Sequence, residues 1–125
     1  MWRLLLIIGT GGFLGSVSRF LLSRLIQNMA LSAFPYGTFI VNMMGSLFIG
    51  FLYGLSVKEN LLTPEWRLFL TVGFCGSFTT FSTFINENVA LLRDGDFFHF
   101  AFYTGLSIFI GIMAVFLGNY LTKMI

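Results

Sequence analysis

Charge in this chain is confined to the ends of long apolar runs. Residues 4–18, 25–57, 68–86 and 100–122 carry no Asp, Glu, Lys or Arg. A transmembrane helix takes about 20 mostly apolar residues to cross about 30 Å of hydrocarbon. The last three runs reach that length unaided. The first reaches it only if Arg19 enters the membrane, which makes Arg19 the most unusual charge in the chain. The pattern therefore predicts an all-α membrane protein of four transmembrane helices, over residues 2–27, 36–57, 64–92 and 97–122.

Local chemistry marks the ends of these elements. Gln27 and Asn28 close the first helix, and Pro35 disfavours helix at Phe34 while suiting the start of the second. Thr63, Pro64 and Glu65 read as an N-cap and first turn, and Asp94-Gly95-Asp96 turns the chain into helix four. The third helix is poor helix material in mid-span. Gly73 and Gly76 are followed by Ser77-Phe78-Thr79-Thr80-Phe81-Ser82-Thr83-Phe84, residues that compete with the helix through local hydrogen bonds and branched side chains. A break is predicted over residues 75–80. Lipid cannot satisfy the groups a break exposes, so breaks occur where they are buried in protein or line a wet cavity. Near the midplane they commonly mark ion or substrate sites. The plainer alternative is a packing kink with hydroxyls bonded back to the helix.

Composition agrees. The 125 residues are 57% hydrophobic and 10% charged, where soluble domains carry roughly 25% charged residues, and the mean hydropathy is +0.90. Four spans and their turns use up this length and leave none for a soluble domain. The first apolar run passes through Gly11, Gly12 and Gly15 into Arg19 and Phe20 with no small-residue cleavage site, so it is expected to stay in the mature protein. Cys75, the single cysteine, has no internal disulfide partner and reads as a small apolar residue. The net charge of +2 forms no basic patch of the kind nucleic acid requires. Arg3, Lys58, Arg67 and Lys123 fall on the side of the termini, Arg24 and Arg93 on the other. That bias is weak under the positive-inside rule. Insertion in both orientations, which permits an antiparallel homodimer, and a single orientation are both open on charge alone.

Small and polar residues recur at helical spacing. Gly11 with Gly15, and Gly50 with Gly54, lie four apart and allow close backbone approach in lipid. The Gly9–Gly15 run is superficially like a dinucleotide loop, but no strand precedes it. Polar stripes comprise Gly12, Ser16, Arg19 and Ser23 on helix one, Thr38, Asn42, Ser46 and Gly50 on helix two, and Tyr103 and Ser107 on helix four. They serve either as interhelical glue or, with the broken helix, as the wall of a narrow hydrophilic path.

Arg19 lies roughly 12 Å along the axis from the end of helix one, and a central arginine costs about 2.5–3.5 kcal/mol on insertion scales. It calls for a water-filled vestibule or a partner. Glu87 is the candidate partner, a vestibule cap, or a simple interfacial acid. No carboxylate occupies mid-span, which argues against proton-coupled antiport. Phe81 and Phe84 are three apart and share a face after the break, and the electropositive edges of such rings can contact an anion. His99 reads as a helix-terminus residue rather than a metal ligand. No nucleophile with a base, metal cluster or phosphate loop suggests an enzyme.

The run Gly73-Phe74-Cys75-Gly76-Ser77-Phe78-Thr79-Thr80-Phe81-Ser82-Thr83-Phe84 resembles the signature of the small bacterial fluoride channels, the Fluc or CrcB family. Gly11 to Arg19, Gly37-Thr38-Phe39-Ile40-Val41-Asn42 and Tyr103 to Ser107 extend the resemblance over essentially the whole chain. It implies a multi-pass protein of the bacterial inner membrane that confers fluoride resistance as an antiparallel homodimer with two pores. Each pore would be lined by Phe81, Phe84, Asn42, Tyr103, Ser107, Thr80 and Ser82, with Arg19 in an aqueous vestibule and Glu87 at the other end of a polar track. It also implies a central structural sodium ion held by backbone oxygens of Gly76 and Thr79 from both subunits. Two departures touch side-chain details: Ser77 stands where a second glycine is common, and Gly111 where some members have serine. The rival readings are a small four-helix multidrug antiporter, whose family carries a glutamate where this chain has glycines and Arg19, and a noncatalytic membrane assembly subunit.

Overall fold

The computed structural model describes residues 1–58 and 61–125. Among them every regular element is helical, and four stretches are long and apolar enough to cross a membrane: Trp2–Ala30, Tyr36–Val57, Pro64–Arg93 and Phe97–Lys123. The elements are α1 (Trp2–Ala30), α2 (Tyr36–Val57), α3 (Pro64–Arg67), a π-helical segment (Leu68–Cys75), α4 (Gly76–Phe78), α5 (Ser82–Arg93) and α6 (Phe97–Lys123). The third span is thus assembled from four pieces.

α1 runs three residues past the expected end at Gln27. Its stop is Leu31, in the left-handed region at φ 46°, whose N–H donates to the Gln27 carbonyl at 3.2 Å. The Gln27 side chain does not end the helix; it turns back onto the following loop. α3 begins as the sequence suggests, with the Thr63 hydroxyl accepting from the Trp66 N–H at 3.2 Å. Thr63→Ala should cost about 1 kcal/mol, the usual worth of such a cap, visible as a lower thermal midpoint in detergent with an unchanged chromatographic profile.

Packing rests on bare backbone. α2 and α6 make the most extensive pair. A Cβ added to Gly118 would lie 2.6 Å from the Phe51 nitrogen, and one on Gly50 would lie 2.9 Å from the Val115 Cα. α1 packs on the π-helical segment in the same way, with a Gly73 Cβ falling 3.0 Å from the Gly11 Cα. Lipid tails supply no hydrophobic drive between helices, so this contact distance carries the association. Phe13, Phe109, Phe116 and many other large apolar side chains on the outer faces are exposed, as suits a surface solvated by lipid. A buried aromatic cluster of Phe34, Phe84, Leu91 and Tyr103, flanked by Phe39 and Phe100, sits at the α1–α2 loop end.

Candidate functional site: a polar cavity at the break

The interruption of the third span lies at residues 79–81, not over the expected 75–80, because Cys75 through Phe78 remain helical. Thr79 turns extended, at φ −84° and ψ 156°. Its N–H and its hydroxyl both donate to the Cys75 carbonyl, at 3.1 and 3.0 Å. The next N–H leaves the helix: Thr80 donates to Asn42 Oδ1 at 2.8 Å, and Asn42 Nδ2 donates to the Thr80 carbonyl at 3.1 Å. The Asn42 carboxamide therefore replaces both backbone partners that Thr80 gives up. One consequence is that the Gly76 carbonyl loses the Thr80 N–H that a continuous helix would give it. α5 restarts with the Thr83 N–H on the Thr80 hydroxyl at 3.3 Å.

Beside the break lies a cavity of about 380 Å³. Asn42 and Ser46 of α2, Gly76, Thr79 and Thr80, the rings of Phe81 and Phe84, and Ser107 of α6 line it. The Ser107 hydroxyl is buried and has no hydrogen-bond partner among the described residues. Phe84 is 8% exposed whereas Phe81 is 73% exposed, and their ring centroids are 6.0 Å apart. The site thus combines an unspent hydroxyl, an amide and two phenylalanine rings on a half-open wall.

A second polar group lies along α5, joined to the cavity through Phe84. Glu87 accepts from the Tyr103 hydroxyl at 2.8 Å through one oxygen and from the Thr38 hydroxyl at 2.9 Å through the other. The Tyr103 ring, fully buried, meets the Phe84 ring edge-on at 4.9 Å. Asn88 accepts from the Thr104 hydroxyl at 3.0 Å and donates to the Phe84 carbonyl at 3.1 Å, tying α5 to α6.

Several expected placements differ. Glu87 is not paired with Arg19; among the described residues Arg3 pairs with Glu65, and His99 Nδ1 is hydrogen-bonded to Asp96. Arg19 instead donates through Nε to the Ser77 carbonyl at 3.1 Å, at the end of α4. Tyr103 bounds the Glu87 group rather than the 380 Å³ cavity. Ser82 is exposed and outside it. The helix-one stripe supplies no cavity wall, since Ser16 and Ser23 donate to their own helix at Phe13 and Phe20. On helix two, Asn42 and Ser46 reach the cavity, Thr38 reaches Glu87, and Gly50 is spent on packing. Thr38 and Asn88 went without a site role because Glu87 for the one and Thr104 for the other lie on a different helix.

Four membrane-crossing helices, the third interrupted in mid-span against a hydroxyl- and amide-lined cavity, mark a small polytopic membrane protein of the transport class. More particularly, the chain belongs to the CrcB family, whose model, described as CrcB-like protein, camphor resistance, matches residues 6–119. It is 51% identical over 114 residues to the fluoride-specific ion channel FluC of Bacteroides fragilis, covering 89% of each chain. The protein of the same name from Chlorobium luteolum is 48% identical over 113 residues, covering 90% of this chain and 87% of that one. That of Azobacteroides pseudotrichonymphae is 43% identical over 123 residues, 98% of each.

Proposed function

We propose that the chain is a fluoride-selective ion channel of the bacterial membrane, not an enzyme, and that it lets cytoplasmic fluoride leave passively. The observation that carries this reading is the buried, unpartnered Ser107 hydroxyl on a cavity wall shared with Asn42 and the Phe81 and Phe84 rings. An unspent donor, together with any electropositive ring edge turned into the same cavity, offers an anion what it loses with its water. Fluoride is small and strongly hydrated, so closely spaced donors and edges replace its shell better than that of larger chloride. Successive weak sites then let it depart. An inside-negative potential drives an anion outward with about 2.3 kcal/mol per 100 mV, so no coupling ion is needed. The family membership displaces the multidrug antiporter reading.

The assembly we propose is an antiparallel homodimer of dual topology with two pores. Phe81 and Ile108, both on the wall of an open cavity, are 73% and 57% exposed, and the charge bias between the two sides is weak. Both support a second copy closing the site. For sodium, the residues present fit. The Gly76 carbonyl is freed because Thr80 turns to Asn42, and Gly76 and Thr79 line the same cavity. Hard cations take such oxygen ligands. The Gly76 and Thr79 carbonyls of two copies would hold the ion, whose role is to neutralise carbonyl dipoles at the break.

The test is fluoride efflux from liposomes containing only the purified protein, read with a fluoride electrode, with chloride as control. Rapid fluoride release that spares chloride and collapses in Phe81→Ile is expected. Release no faster than from empty liposomes, in folded protein, would overturn the channel reading.

A further inference from the structure

The α1–α2 connection is held by one side chain. The Gln27 carboxamide donates through Nε2 to the carbonyls of Ser32 at 3.1 Å and Phe34 at 3.3 Å, and its Oε1 accepts from the Gly37 N–H at 3.0 Å. The Ser32 carbonyl and the Gly37 N–H are thereby satisfied, and the Phe34 carbonyl, which also accepts from the Tyr36 N–H at 2.9 Å, gains a second donor. The loop they fix delivers the Phe34 ring into the interior, where it is 7% exposed. There it stands nearly perpendicular to Tyr103, at 5.4 Å and 74°. Tyr103 thus makes edge-type contacts with two rings, Phe34 and Phe84, the latter at 4.9 Å. Its hydroxyl is aimed at Glu87, and the Phe84 ring behind it is a wall of the cavity.

We propose that Gln27 is a positioning residue for ion passage: by clamping the Ser32–Gly37 loop it holds Phe34 on Tyr103, and through Tyr103 it sets both the Phe84 wall and the Tyr103–Glu87 hydrogen bond. The proposal rests on the fluoride-channel reading for its transport consequence, but its structural half does not. Gln27 lies outside the 380 Å³ cavity and is not among the hydrogen-bond partners of Glu87, although the two line one smaller pocket of about 290 Å³; the proposed route runs through the stacked rings. Interiors packed this closely transmit a displaced ring rather than absorb it.

Two variants separate the loop from the coupling. Gln27→Ala removes all three bonds. Gln27→Glu keeps an acceptor for the Gly37 N–H, and with it the junction to α2, but sets an acceptor against the Ser32 and Phe34 carbonyls and so frees the ring. Each is measured in purified, reconstituted protein for fluoride efflux per folded protein, and for backbone hydrogen exchange in detergent. Efflux should fall about three- to tenfold in both, the size expected for losing hydrogen bonds that orient a group. Exchange should rise in the loop and also in α5 and α6 around Phe84 and Tyr103. In a Phe34→Leu background, Gln27→Glu should cause no further loss.

A merely structural Gln27 would lower stability and raise loop exchange while leaving efflux per folded protein and the α5–α6 exchange unchanged. That result overturns the proposal, as does a loss of equal size in the Phe34→Leu background. Should the unsubstituted protein pass no fluoride, the channel reading fails, and the exchange pattern alone then decides whether Gln27 governs Tyr103.

Discussion

Asn42→Leu should abolish fluoride efflux, by about a hundredfold or more, and lower stability at the same time. Leucine matches asparagine in size but offers nothing to Thr80, whose N–H and carbonyl the carboxamide meets at 2.8 and 3.1 Å. Each buried group left unpaired costs about 1–3 kcal/mol, so the variant should be destabilised by about 2–6 kcal/mol. The break relieves that cost by moving, with Thr80 turning to rejoin the Gly76 carbonyl. That motion carries Phe81 and Phe84 out of place, and about 2.7 kcal/mol of lost orientation is enough for a hundredfold. Asn42→Asp is the sharper companion. It keeps an acceptor for the Thr80 N–H yet sets a second oxygen against the Thr80 carbonyl and a negative charge in the path of an anion, so efflux should fall further than stability does. Efflux in Asn42→Leu within about threefold of the parent would show that the carboxamide is dispensable for the path.

The second large effect concerns folding. Gly118→Val should yield no folded protein, whereas Gly105→Val on the same helix should be tolerated. A Cβ on Gly118 meets the backbone of Leu47, Gly50 and Phe51, and none of these can rotate away; a Cβ on Gly105 meets nothing within 4 Å. Overpacking a core commonly costs about 1–3 kcal/mol, and a clash against rigid backbone lies at or beyond that range. α2 and α6 form the main seam of the bundle, so separating them removes the platform for both Asn42 and Ser107. Chromatographic profile and thermal midpoint in detergent decide the matter, and a normal Gly118→Val profile would mean the seam is looser than drawn.

How much was legible follows from the range of each signal. The spans were plain because a bilayer demands a long uninterrupted apolar run, a property of neighbours in sequence. The break was legible in Thr79 and Thr80 for the same reason. Its edge was not, because Asn42, 38 residues away, decides which N–H leaves the helix. Tyr103 and Glu87 were both recognised, but that the Tyr103 hydroxyl meets a Glu87 carboxylate oxygen depends on how α5 leans on α6. Ser82 was placed by the family resemblance in the run Thr80-Phe81-Ser82-Thr83-Phe84; in the single chain it stands exposed beside Phe81, on the face that a second copy would cover. Gln27 was read as a helix terminator because a polar residue at a membrane edge usually is one; only the fold shows three backbone groups converging on it.

The π-helical segment Leu68–Cys75 has no counterpart in the sequence pattern. Winding with i→i+5 bonds holds more residues per turn than an α-helix does, so the first half of the third span stores spare chain. Converting a turn between the two windings shifts the azimuth and height of everything beyond it while each carbonyl keeps a partner, which in hydrocarbon is the condition that matters. A single-residue deletion between Leu68 and Cys75 can therefore be taken up by rewinding, whereas one at Ser82 or Thr83, at the start of the uniformly α-helical α5, has no such slack and would turn Phe84 and Glu87 relative to their partners. The span that carries the break carries its own adjusting thread.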